Sequence, residues 1–305
     1  MNFQRTIRDT ISLEGIGLHS GKTVQLRIKP ARPGHGVTFV RADLEGAPEI
    51  SAHYKNVVDT RMATTLGRGK VTISTVEHLM AALQGLGIDN VIVEVNAPEI
   101  PILDGSSKAF VEAIEKVGIQ TQLQTRPLLA IRRRVEVKVA EKWAVAEPSS
   151  KFEIQASVDF DHPAIGFQQF HYIEGQTEFS SLADARTFGF LHEVEALKRM
   201  GLARGGSLEN AVVMDSGRVL NPEGLRHPDE FVRHKVLDAL GDFKLAGIPM
   251  QGHFRLHRAG HELHSMLVQA ILKDDLNYEI IDSKVTEILR PAKVRAALAR
   301  LVASV

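Results

Sequence analysis

Residues 230–246 read EFVRHKVLDALGDFKLA and carry the strongest helical pattern in this 305-residue chain. Their apolar side chains recur every three or four positions, which predicts one amphipathic helix; they are Val232, Val236, Ala239, Leu240 and Phe243. On the opposite side, His234 and Asp238 lie four residues apart and therefore share a face, which Asp242 extends by another turn. An imidazole and a carboxylate placed in this way can converge on one metal ion.

A second helix is predicted at residues 75–86, where Gly85 and Gly87 end it. Glu77 and His78 stand near its start. Adjacent helical residues diverge by ~100°, so one can hold an ion while the other takes a proton from the attacking water, as in zinc hydrolases. No histidine follows His78 by four positions, so the HExxH motif of metalloproteases is absent.

Each of these two pairs also has an ordinary structural interpretation. His234 and Asp238 could belong to a solvent-facing helix surface with charge pairing four residues apart. Ser74 and Glu77 fit a capping box, in which Glu77 would only cap the helix. Taken alone, the spacing favours these interpretations over a metal site.

The other elements of the chain fall into strands followed by helices in each half. Strands are predicted at residues 24–30, 37–41, 91–95, 128–147, 152–160 and 212–214 and near residue 254, and helices after the turn at 101–105 and at 263–271. Residues 15–21 are expected to form a tight turn that follows no clear strand, and residues 161–210 to be irregular except for a helical run at 193–200. This grouping favours layered α+β architecture over a doubly wound parallel sheet.

The length of the chain favours two domains. The polar stretch 120–127 lacks periodicity, so we place the boundary there. The N-terminal α+β domain, residues 1–125, then contributes Glu77 and His78, and the C-terminal α+β domain, residues 126–305, contributes the helix of residues 230–246.

Composition narrows the possible chemistry. The chain has no cysteine, so a metal must be held by His, Asp or Glu. Its net charge is zero, which gives no indication of a nucleic-acid partner. The N-terminus lacks an apolar signal core, and no run approaches the ~18 apolar residues that span a bilayer. We therefore expect a cytoplasmic protein without a membrane span, which could still bind a lipid in a groove.

A proton donor and an oxyanion partner can also be sought in the sequence. Four histidines near the C-terminal helix could donate a proton, and the residues alone do not choose among them: His253, His257, His261 and His264. His261 has a slight advantage because it follows Gly260 at the turn into that helix. In residues 186–190, Thr187 stands among aromatic residues, either in a small satellite core or as a hydroxyl aimed at an oxyanion beside an apolar channel.

Seven segments in a fixed order resemble the zinc-dependent UDP-3-O-acyl-N-acetylglucosamine deacetylases of bacterial lipid A synthesis. They are residues 15–21 (GIGLHSG), 75–79 (TVEHL), 101–106 (PILDGS), 185–190 (ARTFGF), 205–210 (GGSLEN), 234–242 (HKVLDALGD) and 260–261 (GH). Each is weak alone, but the ordered set is highly specific and spans nearly the whole chain.

The resemblance implies a two-domain α+β sandwich with the active site between the domains. It implies one Zn²⁺ per chain, an acylated UDP-sugar substrate and a monomer, with an insert at residues 190–202 that forms the acyl passage. The implied site residues are His78, His234 and Asp238 as metal ligands, Glu77 as general base, His261 as general acid oriented by Asp242, Thr187 at the oxyanion, and Lys235, Phe188, His19 and Phe160 at the substrate.

Two other functions remain open from the sequence. The same zinc geometry could serve an amidohydrolase acting on a different acylated substrate. The histidines could instead be structural residues of a non-enzymatic binding module.

Overall fold

The computed structural model describes residues 3–282. Its strands are β1 (Phe3–Ile7), β2 (Ile11–Ile16), β3 (Thr23–Pro30), β4 (Val37–Arg41), β5 (Glu49–Ser51), β6 (Val57–Asp59), β7 (Thr65–Arg68), β8 (Val71–Ile73), β9 (Val91–Val95), β10 (Ile119–Thr125), β11 (Leu128–Ile131), β12 (Val135–Val139), β13 (Lys142–Glu147), β14 (Phe152–Phe160), β15 (Gly166–Ile173), β16 (Phe188–Phe190), β17 (Val212–Met214), β18 (Met250–His257) and β19 (Tyr278–Ile281). Its helices are α1 (Glu77–Gly85), α2 (Lys108–Val117), α3 (Ser180–Ala183), α4 (Leu191–Arg199), α5 (Glu230–Lys244) and α6 (His261–Leu272).

Two large sheets organise the described residues. The first has five strands in the order β2-β3-β9-β4-β5, and the second has seven, with β12-β13-β18-β11-β19 as its main path and β14 and β15 branching from β18. Helices layer against these sheets, which confirms the predicted α+β class. The predicted domain boundary falls between β10 and β11, and it stays a prediction; residues 283–305 of the predicted second domain lie outside the described residues.

Alternating burial explains how the strands join the core. In β3, Val24, Leu26 and Ile28 are buried while the residues between them face outward, because successive side chains of a strand point to opposite faces. One continuous apolar cluster connects both sheets with α1 and α5. Within residues 3–282, no helix has the length and apolarity needed to cross a bilayer.

The two central helices, α1 and α5, pack directly against each other. They are buried almost all round, with 8 of the 9 residues of α1 and 12 of the 15 residues of α5 inaccessible. A Cβ atom added to Gly241 would lie 2.0 Å from the carbonyl oxygen of Glu77. The helices therefore cross backbone to backbone, and only glycine fits at this point of α5.

Three segments differ from the sequence prediction. The polar stretch 120–127 lacks strand periodicity, but β10 occupies most of it and pairs with β1. The apolar pattern is inverted there, since Gln122 is buried and bonded to Asn90 while Leu123 is 98% exposed. The region 161–210 is not irregular throughout, because it contains the eight-residue strand β15, whose Phe167 is exposed. The turn at 15–21 was expected to follow no clear strand, but it follows β2.

We predict that Gly241→Ala destabilises the protein, although alanine favours a helix over glycine by about 1 kcal/mol. The added methyl group would force α1 and α5 apart, at a cost of about 1–3 kcal/mol. Urea denaturation measures the difference. Gly217→Ala is the control, because it lies in an exposed loop with open space around its Cβ position and should change stability by less than about 0.5 kcal/mol. A Gly241→Ala protein as stable as the wild type would contradict the close crossing.

Candidate metal centre

Three side chains meet where α1 crosses α5. His78 comes from α1, and His234 and Asp238 come from adjacent turns of α5. Asp238 Oδ1 lies 3.3 Å from His234 Nε2 and 3.6 Å from His78 Nε2, and the three candidate ligand atoms lie within 4.8 Å of one another. All three side chains are at most 5% exposed, so His234 and Asp238 are not a solvated helix face.

Neighbouring groups keep His234 and Asp238 in the protonation states that bind metals. His234 Nδ1 donates a hydrogen bond to the carbonyl oxygen of Ala185 at 3.0 Å, which leaves the lone pair of Nε2 directed at Asp238. Burial lowers the pKa of His234 to about 3, so its ring is neutral at physiological pH. Lys235 donates to Asp238 Oδ2 at 2.9 Å and compensates the buried carboxylate charge.

One carboxylate oxygen at the centre of this group has no hydrogen-bond partner among the described residues. Asp238 Oδ1 is buried and faces the ring nitrogens of His78 and His234. An unpaired buried oxygen is costly, and such cases call for an explanation such as an ion. Two imidazoles and one carboxylate form a donor set that divalent transition metals accept while one position stays open. The residues therefore fit a metal ion.

Glu77 lies beside this group but is held by other residues. Its Oε2 accepts a hydrogen bond from the backbone N–H of Thr64 at 3.0 Å, and its Oε1 lies 3.9 Å from His261 Nε2. The capping-box interpretation is wrong, because no side chain caps α1 and Ser74 pairs with Thr65 instead. Burial raises the pKa of Glu77, which makes its carboxylate a stronger base.

His261 faces Glu77 from the start of α6 and is hydrogen-bonded to Asp242. Its Nδ1 donates to Asp242 Oδ2 at 2.8 Å, and His264 Nδ1 lies 2.8 Å from the same oxygen. Burial alone would lower the pKa of His261, but the charges of Asp242 and Glu77 outweigh it and raise the pKa to about 10. His261 is therefore a cation at neutral pH, with its Nε2–H free to be donated.

A cavity of about 560 Å³ opens in front of these groups. Apart from Asp242, which lies behind His261, all of the site residues predicted from the sequence line it: His78, His234, Asp238, Glu77, His261, Thr187, Lys235, Phe188, His19 and Phe160. Apolar side chains of α4 also line it, namely Leu191, Val194 and Leu197, within the predicted acyl-passage insert.

The segment that carries Thr187, just before β16, is fixed by a buried ion pair that the sequence did not single out. Arg186 is 2% exposed and donates through Nε to Glu230 Oε1 at 2.9 Å, while Thr187 N–H bonds to the carbonyl of Gly105 at 2.7 Å. A buried arginine needs a paired carboxylate. The sequence offers little sign of this ion pair beyond a single arginine that precedes Phe188 and Phe190.

Two more positioning residues were missed. Thr64 Oγ1 donates to Asp242 Oδ1 at 2.6 Å while its N–H donates to Glu77, so this one residue connects Glu77 with the carboxylate that bonds to His261. Glu99 accepts from the backbone of His19 at 2.8 Å and of Ser20 at 2.9 Å, and so fixes the turn at residues 15–21. Neither residue belongs to a motif that suggests these contacts.

A buried group of two histidines and one aspartate, beside a carboxylate and a cationic histidine, is the arrangement expected of a metal-dependent hydrolase. The chain belongs to the UDP-3-O-acyl N-acetylglycosamine deacetylase family, whose sequence profile matches residues 4–273. Membership in this family makes the chain a deacetylase, an enzyme that hydrolyses an amide, and confirms the resemblance found in the sequence.

Curated relatives agree over almost their full length. A protein of Myxococcus xanthus named UDP-3-O-acyl-N-acetylglucosamine deacetylase is 50% identical over 286 residues, which cover 93% of this chain and 91% of that protein. Proteins with the same name from Syntrophus aciditrophicus (47% identity, covering 91% of this chain and 89% of that protein) and Geobacter sp. strain M21 (48%, covering 92% and 93%) are also similar.

We predict that Asp242→Asn makes His261 lose its proton at a lower pH. In the metal-free wild type, the raised pKa keeps His261 protonated until the pH approaches about 10. Removing the charge of Asp242 should move that midpoint down by about 1–3 pH units. Ring resonances of labelled histidine followed by NMR measure it. Glu77→Gln, which removes the smaller contribution, should move it less; the reverse order would contradict this account of the pKa.

Proposed function

We propose that this enzyme hydrolyses the 2-acetamido group of UDP-3-O-acyl-N-acetylglucosamine, releasing acetate and the free amine in cytoplasmic lipid A biosynthesis. We further propose that His78, His234 and Asp238 hold one Zn²⁺. The observation that carries this proposal is Asp238 Oδ1, which has no hydrogen-bond partner within residues 3–282 and faces two imidazole nitrogens at the polar end of an apolar cavity.

Each polar group at this end of the cavity has a distinct task. A bound zinc ion would polarise the acetyl carbonyl and lower the pKa of the attacking water to about 7. Glu77, whose pKa is raised by burial, takes the proton from that water. The Thr64 N–H holds one of its oxygens, so the carboxylate stays beside the centre.

The remaining steps concern the oxyanion and the leaving amine. The hydroxyl of Thr187 donates to the oxyanion that develops on the acetyl carbonyl, and its backbone is fixed by hydrogen bonds to Gly105 and Val212. His261 then donates its Nε2 proton to the departing amine. Asp242 positions His261 through Nδ1 and stabilises its charged form before the transfer.

The apolar wall of the cavity supports the acylated substrate. Leu191, Val194 and Leu197 of α4 line one side, and Phe160 and Phe188 meet edge to face at 5.8 Å near the polar end. Each methylene buried there contributes about 0.8 kcal/mol, so many contacts are needed to select a chain length. We propose that the 3-O-acyl chain lies along α4.

Other residues that line the cavity are assigned to the sugar nucleotide. Lys235 Nζ lies 5.3 Å from the centre of the Phe188 ring, between the metal ligands and the aromatic wall. His19 lines the cavity on the turn that Glu99 fixes. We propose that these residues, with Phe160, contact the head group of the substrate.

We predict that His234→Ala and Glu77→Gln separate metal binding from catalysis. His234→Ala removes a ligand, so zinc and activity should be lost together. Glu77→Gln should keep one equivalent of zinc while turnover of the acylated UDP-sugar falls by about 10²–10⁴-fold, the usual contribution of a positioned base. Metal analysis and a deacetylation assay measure both.

Glu262→Gln is the matched control for the base. Glu262 is the exposed carboxylate next to His261 in the first turn of α6, and its loss should leave zinc content and rate unchanged. Near-normal turnover by Glu77→Gln would reject the assignment of the base. Equal turnover of the non-acylated UDP-sugar would reject the acyl-selective substrate and favour a different amidohydrolase.

A further inference from the structure

A second group of potential metal ligands lies on the solvent-facing side of the seven-stranded sheet. This outer cluster consists of Glu153 on β14, His171 on β15 and His253 on β18. One ligand atom from each lies within 4.8 Å of the others, and the two imidazole rings stack with centres 5.6 Å apart at 30°. None of the three residues lines the main cavity or touches the metal centre described above.

The strand register brings these residues together on rigid elements. Glu153 and His253 are direct partners in the parallel β14–β18 ladder. His171 is the antiparallel partner of Gln155, which follows Glu153 by two residues and so shares its face. Neighbouring strands are about 4.8 Å apart, a spacing that lets three adjacent side chains reach one ion.

Hydrogen bonding satisfies two members of the cluster but not the third. His171 Nε2 lies 3.1 Å from Glu153 Oε2, and Ser149 donates to the other carboxylate oxygen. His253 Nε2 is buried and has no partner among the described residues. An ordinary Glu153–His171 ion pair leaves this nitrogen unsatisfied, whereas an ion shared by all three residues would satisfy it.

The protonation of the cluster suits metal binding. Burial lowers the pKa of His253, so its ring is neutral, and the hydrogen bond from Ser149 lowers the pKa of Glu153, so its carboxylate is ionised. Neutral imidazole and ionised carboxylate are the forms that coordinate metals. Arg255 is a cation close to His253, and its positive charge is offset by Glu147, whose Oε2 lies 3.7 Å from Arg255 Nη1.

We propose that Glu153, His171 and His253 form a second site for a divalent transition metal such as zinc, with water completing the coordination. Zinc takes nitrogen and oxygen ligands at about 2.0–2.2 Å, so the three ligand atoms must close to about 3.3 Å from one another. His171 can make this adjustment because its side chain is 42% exposed. The ion would join β14, β15 and β18 and stabilise the folded sheet.

Zinc titration of the full-length, zinc-loaded enzyme tests this site. We expect calorimetry to detect a second equivalent of zinc per chain, accompanied by a rise in the thermal unfolding midpoint. His253→Ala and, separately, the exposed-site variant His171→Ala should weaken that second equivalent at least 10-fold. Both variants should retain the first equivalent and the deacetylase activity.

His257→Ala is the matched control, because His257 lies on the same face of β18 but bonds to Ser157 instead. It should bind the second equivalent as the wild type does. The proposal is overturned if the loaded enzyme takes up no second equivalent, or if His257→Ala weakens it as much as His253→Ala. It is also overturned if a second equivalent persists in His253→Ala and inhibits the enzyme, since that would assign the ion to Asp242, His261 and His264, the other ligand cluster near the active site.

Discussion

The backbone contact between α1 and α5 is the constraint on which the site depends. Gly241 lets the two helices approach until the carbonyl of Glu77 occupies the space that a Cβ atom would fill. At this separation His78 from one helix reaches His234 and Asp238 from the other, although the two segments are more than 150 residues apart. A wider crossing would move His78 Nε2 away from Asp238 Oδ1, which it now approaches to 3.6 Å.

A buried hydrogen-bond network links Glu77 to His261 beside this crossing. Thr64 bonds to Glu77 through its N–H and to Asp242 through its hydroxyl, and Asp242 in turn holds His261. Burial raises the pKa of Glu77, while Asp242 and Glu77 together raise that of His261. The pKa values of Glu77 and His261 are therefore both shifted within one buried network, whose electrostatic interactions are strengthened by the low polarity around it.

Sequence patterns predicted the features of the fold and of the site that depend on local periodicity. The helix expected at residues 230–246 is α5, Glu230–Lys244, and the spacing of His234 and Asp238 fixed their common face. β10 was missed because its buried residue is Gln122 and its exposed one is Leu123, which inverts the usual pattern. Thr64 carried no signal because its partner Asp242 is 178 residues away, a contact that only the folded chain creates.

Anomalous diffraction at the zinc absorption edge, on crystals of the zinc-loaded enzyme, tests the central claim most directly. The account predicts a strong peak in the main cavity within about 2.0–2.2 Å of His78, His234 and Asp238, with Glu77 and His261 beside the ion but not bound to it. A peak coordinated by Glu77, or one that lies among Asp242, His261 and His264 with none at the helix crossing, would contradict it.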